Sequence, residues 1–165
     1  LRKELEPRTS AGDVELAGVP LAETWAAMLE LRAGGLVQGV GLCNLGVGEL
    51  EQLAGAGLAP PDAVQVELHP LAAQSALVDY CRERGILLMA HSPLGGGAVL
   101  EHPRLRALAA ESGVSPAQLV LAWHRARGVI PVVGSRDPAH LRENARACGE
   151  ALPAAVVAAL DALAA

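Results

Sequence analysis

Residues 63–95 read Ala63-Val-Gln-Val-Glu-Leu68-His-Pro-Leu-Ala-Ala-Gln-Ser75-Ala-Leu-Val-Asp-Tyr80-Cys-Arg-Glu-Arg-Gly85-Ile-Leu-Leu-Met-Ala90-His-Ser-Pro-Leu-Gly95. Two short apolar runs, Ala63–Leu68 and Ile86–Ala90, bracket a stretch in which Leu77, Tyr80, Cys81 and Arg84 trace one side of a helix. Ser75 reads as the cap of that helix and Gly85 as its stop. Runs of mostly apolar residues joined through a helix predict parallel strands buried on a sheet, with a right-handed crossover.

The same unit repeats on both sides. Upstream, Leu21, Trp25, Met28 and Leu29 lie at helical spacing ahead of Gly34, and Val37–Leu42 reads as a strand. Leu50, Leu53 and Ala54 then mark a helix that breaks near Gly55–Gly57. Downstream, helices are expected over Pro103–Glu111 and Pro116–Arg127, the second capped by Ser115 with Pro116 in its first turn. Val129–Val133 reads as the fourth strand, Asp137-Pro138 opens another helix, and Pro153–Leu163 forms a last amphipathic one. Residues 1–19, rich in polar and turn residues, read as an irregular leading loop, and 20–165 as one α/β unit.

Strands starting near 37, 63, 86 and 129, with no Gly-x-Gly-x-x-Gly turn, fit four βα units of a (β/α)8 barrel better than a dinucleotide-binding doubly wound sheet. In such a barrel the chemistry gathers at the C-terminal ends of the strands. Those ends carry Cys43-Asn44, Glu67 to Pro70, His91 to Gly97, and Gly134 to Arg136.

The 165 residues carry 13 Lys and Arg against 18 Asp and Glu, a formal charge of −5 that argues against nucleic acid or an anionic membrane surface as a partner. No apolar run approaches the roughly 20 residues needed to cross a bilayer, and no signal peptide is expected. Three scattered cysteines, Cys43, Cys81 and Cys148, fit a reduced, cytoplasmic setting. The chain begins with Leu rather than Met, so a start further upstream is expected.

The strand-end motifs point further. Gly39-Val40-Gly41-Leu42-Cys43-Asn44, Gln65-Val66-Glu67-Leu68-His69-Pro70, His91-Ser92-Pro93-Leu94-Gly95 and Gly134-Ser135-Arg136-Asp137-Pro138 with Glu143-Asn144 resemble the aldo-keto reductase family in order and spacing. Ser115-Pro116-Ala117-Gln118 and Trp123-His124 fit the helix before the last strand, so the resemblance covers about residues 20–150. It implies the C-terminal half of a (β/α)8 barrel, fifth to eighth strands, from an enzyme that reduces aldehydes or ketones with NADPH, without metal or flavin. It also implies a small-molecule carbonyl substrate for the whole protein.

Carried over by residue, the resemblance implies that Asn44 and Gln65 hold the nicotinamide carboxamide, since an amide can both donate to and accept from it. His91 stands where the family has an aromatic ring against the nicotinamide. Ser92, Leu94 and the glycines from Gly95 correspond to the loop near the pyrophosphate, where glycine lets backbone approach an anion. Ser135, Arg136, His140, Glu143 and Asn144 match the segment at the adenosine end, and a helix start beside Arg136 suits a 2′-phosphate. Gly134 replaces a common Lys and His140 a common Arg, which makes NADH a second candidate cofactor.

In the family the catalytic Asp, Tyr, Lys and His come from the first four strands, which the resemblance places upstream of residue 1. Lys3 is the only lysine and Tyr80 the only tyrosine, in the leading loop and on a helix stripe, so neither is expected to substitute. The chain alone is therefore expected to be inactive, with the other half, or a homo-oligomer, needed to cover the open sheet edges. A non-catalytic nucleotide-binding or interaction protein derived from the family is the alternative. A metal-dependent hydrolase using Glu67, His69 and His91, and a nucleophilic Cys43, are the weaker readings of the same strand ends.

Overall fold

The computed structural model describes residues 18–147, 149 and 151–164. Expectations that fall on Lys3, on Cys148 and on nearly all of the leading loop lie outside the described residues. Four strands, β1 Gly41–Cys43, β2 Ala63–Glu67, β3 Leu87–His91 and β4 Ile130–Pro131, pair in parallel in the order β1-β2-β3-β4. They alternate with α1 Leu21–Ala33, α2 Val47–Gly55, α3 Ser75–Arg84, α4 Pro103–Ser112, α5 Pro116–Ala126, α6 Pro138–Ala147 and α7 Ala154–Asp161. A four-stranded parallel sheet with helices in every connection is consistent with part of a (β/α)8 barrel.

The strands alternate in burial and so define two faces. Val64, Val66, Leu88 and Ala90 are buried against the helices together with Leu68, Leu105, Leu119 and Trp123. Fully burying an aliphatic side chain of this size contributes about 1.5–3 kcal/mol. A smaller cluster forms around Trp25, Val40 and Leu53, with the Trp25 indole N–H donating to the Ala59 carbonyl at 2.8 Å. The opposite face is open. Cys43, Gln65, Met89 and Ile130 lie in one register row across it, and Leu87, Ile130 and Val132 are 47%, 42% and 45% exposed.

Several boundaries move relative to expectation. The first strand is only Gly41–Cys43, because Leu36 and Val37 stand out in solvent and the Val40 N–H goes to the Asp62 carboxylate at 2.7 Å. Asp62 also takes Arg32 at 3.0 Å, tying the end of α1 to the starts of β1 and β2. Gly41 approaches β2 so closely that a Cβ there would lie 2.8 Å from the Ala63 carbonyl oxygen. The last strand shrinks to Ile130–Pro131, since Pro131 has no N–H to continue the ladder, although the Val132 N–H still reaches the Ala90 carbonyl at 2.8 Å.

Ser75 is not the cap of α3. Gln74 occupies that position with φ of 49°, and Ser75 opens the helix, its hydroxyl accepting from Arg127 at 3.1 Å. Arg127 also donates to the Ala73 carbonyl at 2.6 Å, so a long-range guanidinium shapes this turn. Ser115 does cap α5: its hydroxyl accepts the Gln118 N–H at 3.1 Å and the Gln118 side chain accepts the Ser115 N–H at 3.0 Å. Gly95–Gly97, expected in a loop, pass into a short 3-10 turn that runs to Glu101, while Gly96 and Gly97 themselves are non-helical, with φ of 61° and 98°. The final helix ends at Asp161 and passes into a 3-10 turn over Ala162–Ala164.

Candidate functional site

At the C-terminal ends of β1 and β3, strand geometry gives way to strained turns. Asn44 and Ser92, each one residue beyond a strand, have φ of 58° and 49°; with Gln74 they are the non-glycine residues of positive φ among those described. Left-handed backbone costs a residue with a Cβ about 1 kcal/mol or more, and such strain concentrates where side chains must be aimed. The Asn44 N–H is anchored on the Gln65 carbonyl at 2.8 Å. Its side-chain oxygen lies 2.8 Å from His91 Nε2, while His91 Nδ1 lies 3.2 Å from the Ser92 hydroxyl. An amide oxygen only accepts, so the His91 tautomer that satisfies Asn44 carries its proton on Nε2, leaving Nδ1 to accept from Ser92.

The structure thus brings Asn44, His91 and Ser92 into one hydrogen-bonded group, with the Gln65 backbone beneath it. The Gln65 side chain lies on the open face, two residues before the end of β2 and in register with Cys43 and Met89. Cys43 is exposed, but both His91 ring nitrogens are engaged by Asn44 and Ser92.

From Ser92 the chain turns through Leu94 into Gly95, Gly96 and Gly97, which have φ of 55°, 61° and 98°. Gly95 is required twice over: beside its positive φ, a Cβ would sit 2.3 Å from a Val99 methyl carbon. The Gly95 and Gly97 N–H groups close turns onto the Ser92 and Leu94 carbonyls at 2.8 and 2.9 Å.

Beyond this loop a cavity of about 360 Å³ opens between the 3-10 turn, the start of α5, the turn after β4 and one side of α6. Leu94, Ser135, His140, Glu143 and Asn144 line it, five of the residues expected at the site. Arg136 is exposed and is not among the lining residues. The residue just ahead of α6, Asp137, brings its own carboxylate to the helix start, accepting the Ala139 N–H at 2.8 Å, while the Ser135 hydroxyl accepts the Asp137 N–H at 3.0 Å.

Among the further lining residues, the polar Ser115, Glu101 and Arg106 are not singled out as site residues by the sequence. Ser115 donates a short hydrogen bond to the Glu143 carboxylate while capping α5, so its hydroxyl serves both helix and cavity. The helix-cap signal identifies it, but only the fold brings Glu143 to it. Glu101 and Arg106 pair at 2.8 Å on the cavity rim. Arg106 lies in the helix expected from Pro103 and Glu101 just ahead of it, but no sequence signal marks either as a site residue.

Elsewhere at the strand ends, Glu67 lies 3.4 Å from His69 Nε2, and His69 Nδ1 is buried without a partner. Among the described residues no group of three or more His, Cys, Asp or Glu side chains is arranged to hold a metal ion. His124, fully buried, faces the Val120 and Leu68 carbonyls at 2.8 and 2.9 Å. Burial pushes its pKa down, against the opposing pull of those two carbonyls. Tyr80 belongs to the helix-side core under the Arg84 guanidinium. Burial raises the Cys81 thiol, which packs in the same core. None of the described helices is long and apolar enough to cross a membrane.

The model of the Aldo/keto reductase family matches residues 7–165. Human aldo-keto reductase family 1 member A1 is 34% identical over 148 residues, covering 84% of this chain and 46% of the relative. The zebrafish (Danio rerio) member A1-A is 31% identical over 151 residues, covering 86% and 47%. Among solved structures, aldose reductase from Giardia lamblia aligns with a TM-score of 0.85 at 32% identity, over 97% of this chain and 55% of that one. A Gox0644 variant solved in complex with NADPH aligns with a TM-score of 0.79 at 34% identity, over 86% and 52%. The chain spans about half the length of the curated relatives it matches.

Proposed function

The chain belongs to the aldo/keto reductase family, and from that premise we propose that it is the cofactor-binding C-terminal portion of a reductase that converts aldehydes or ketones to alcohols by hydride transfer from NADPH. The observation that carries this reading is the continuity of the expected cofactor track. Asn44 and His91 meet at the strand ends, Ser92–Gly97 turns away from them, and Leu94 enters the cavity lined by Ser135, His140, Glu143 and Asn144. A solved relative bound to NADPH supports the choice of cofactor.

When bound, a nicotinamide dinucleotide supplies the hydride. Asn44 is held by His91 in one rotamer, so its amide N–H2 is aimed and available to a carboxamide oxygen, and Gln65 offers a second amide on the same side of the sheet. The positive-φ glycines present close backbone to a pyrophosphate, and the cavity takes the adenosine end.

The open face, with its register row Cys43, Gln65, Met89 and Ile130, reads as the inner wall of a barrel that four further strands complete. Proton donation to the carbonyl oxygen belongs to that other half, and this chain alone is inactive. The test is to supply that half, by fusion or co-expression of the first four βα units of a related reductase, and to follow NADPH oxidation with small aldehydes. Turnover in the joined protein but not in the chain alone is expected. A folded joined protein that binds NADPH and turns nothing over overturns the enzymatic reading and favours a nucleotide-binding role.

A further inference from the structure

We propose that the Glu101–Arg106 ion pair sets how strongly the cavity distinguishes a phosphorylated from an unphosphorylated adenosine ribose, an inference that rests on the nucleotide-binding reading above. Arg106 is the one guanidinium among the lining residues, and it is already spoken for: its Nη1 donates to the Glu101 carboxylate at 2.8 Å. Both side chains are well exposed, at 60% and 75%, so water competes with the pair and a ligand anion can exchange with it.

The rest of the lining does little to attract a dianion. Glu143 brings a second carboxylate, held by the Ser115 hydroxyl, and His140 leans toward Asp137 at 3.9 Å. Two carboxylates, Glu101 and Glu143, and one guanidinium, Arg106, line this cavity. A ribose hydroxyl can donate to a carboxylate oxygen and enters such a lining without charge repulsion. A ribose phosphate is repelled by both carboxylates, and gains a charge-assisted partner only if Arg106 leaves Glu101. Arg106 is thus the phosphate-reading residue, and Glu101 is its competitor. The pair levels the two ligands and leaves the site open to both forms of the cofactor.

The experiment measures binding of adenosine 5′-monophosphate and adenosine 2′,5′-bisphosphate to the full chain by calorimetry, with circular dichroism confirming that each variant is folded. The unaltered chain is expected to bind the two within about threefold of each other. Glu101→Gln should tighten the bisphosphate about fivefold, the size of one exposed charge pair, and leave the monophosphate unchanged. Arg106→Gln should weaken the bisphosphate alone, and the double variant should lose the Glu101→Gln gain. Equal shifts for both ligands in Glu101→Gln, or no shift, overturn the proposal while leaving nucleotide binding intact. Failure of the folded chain to bind either ligand overturns the nucleotide-binding reading and this inference with it.

Discussion

His91 Nε2 and Asn44 Oδ1 lie 2.8 Å apart although 47 positions separate them in the chain. The contact forms because β1 and β3 flank β2 in a parallel sheet, which brings the C-terminal ends of all three strands to one edge. It holds an exposed amide in one orientation at a residue whose backbone is left-handed. Asn44→Ala should therefore lose both the side-chain bond and the residue type that best tolerates this backbone. The expected cost is about 1–2 kcal/mol, read from the urea midpoint, whereas Asn44→Gly should cost less because glycine relieves the strain. Binding of a nicotinamide dinucleotide should weaken in both variants.

Gly95→Ala is expected to be more damaging than its size suggests. The added methyl meets Val99 at 2.3 Å, on backbone that already has positive φ. A destabilisation of about 2–4 kcal/mol is expected. If the clash with Val99 carries most of that cost, Val99→Ala combined with Gly95→Ala should cost less than the sum of the two single changes, measured by chemical denaturation.

Ser115→Ala removes the cap of α5 and the donor to Glu143 in one change. Loss of such a cap costs about 1 kcal/mol. Ser115→Thr should restore most of the stability, and both effects can be read from thermal unfolding. Under the proposed function Ser115→Ala also frees Glu143 and weakens adenosine binding, while Thr preserves it.

Two groups give the stability of this chain a defined pH dependence. Asp62 is held below its ordinary value of 3.8, first by the Val40 N–H and then by Arg32. Its contribution is complete above that value and is lost as pH falls through the lower pKa of the folded chain. Asp62→Asn should flatten this acid limb of the stability curve.

His124 acts at milder pH. Its pKa is lowered from 6.5 by burial, so the unfolded chain takes up a proton before the folded one, and stability falls as pH drops below about 6.5. A neutral imidazole carries one proton and can serve only one of the two facing carbonyls. His124→Gln should remove this slope near pH 6 and lower stability at pH 8, as urea unfolding at both pH values would show.

The alternation of βα units, and with it the parallel sheet, was legible from residues 63–95 and their repeats, because apolar runs bounded by glycine stops are set by local chemistry. The Ser115 cap was legible for the same reason: both capping bonds run to Gln118, within one turn. Strand limits were less so. The late start of β1 and the early ending of β4 depend on where the Val40 N–H goes and on the missing N–H of Pro131, both matters of pairing across the sheet. The cap of α3 was misread because Arg127, 52 positions from Ser75, claims its hydroxyl.

By itself, the order of residues determined which side chains sit at strand ends: Asn44, Gln65, His91, Ser92 and Ser135 fall there once the strands are found. Only the tertiary structure decided which of them touch. The Asn44–His91 contact, the Ser115–Glu143 bond and the Glu101–Arg106 pair facing a shared cavity all depend on where helices and loops come to rest against the sheet. Hydrogen bonds and ion pairs are settled over a few ångströms, and a periodic pattern of apolar residues carries no information on that scale.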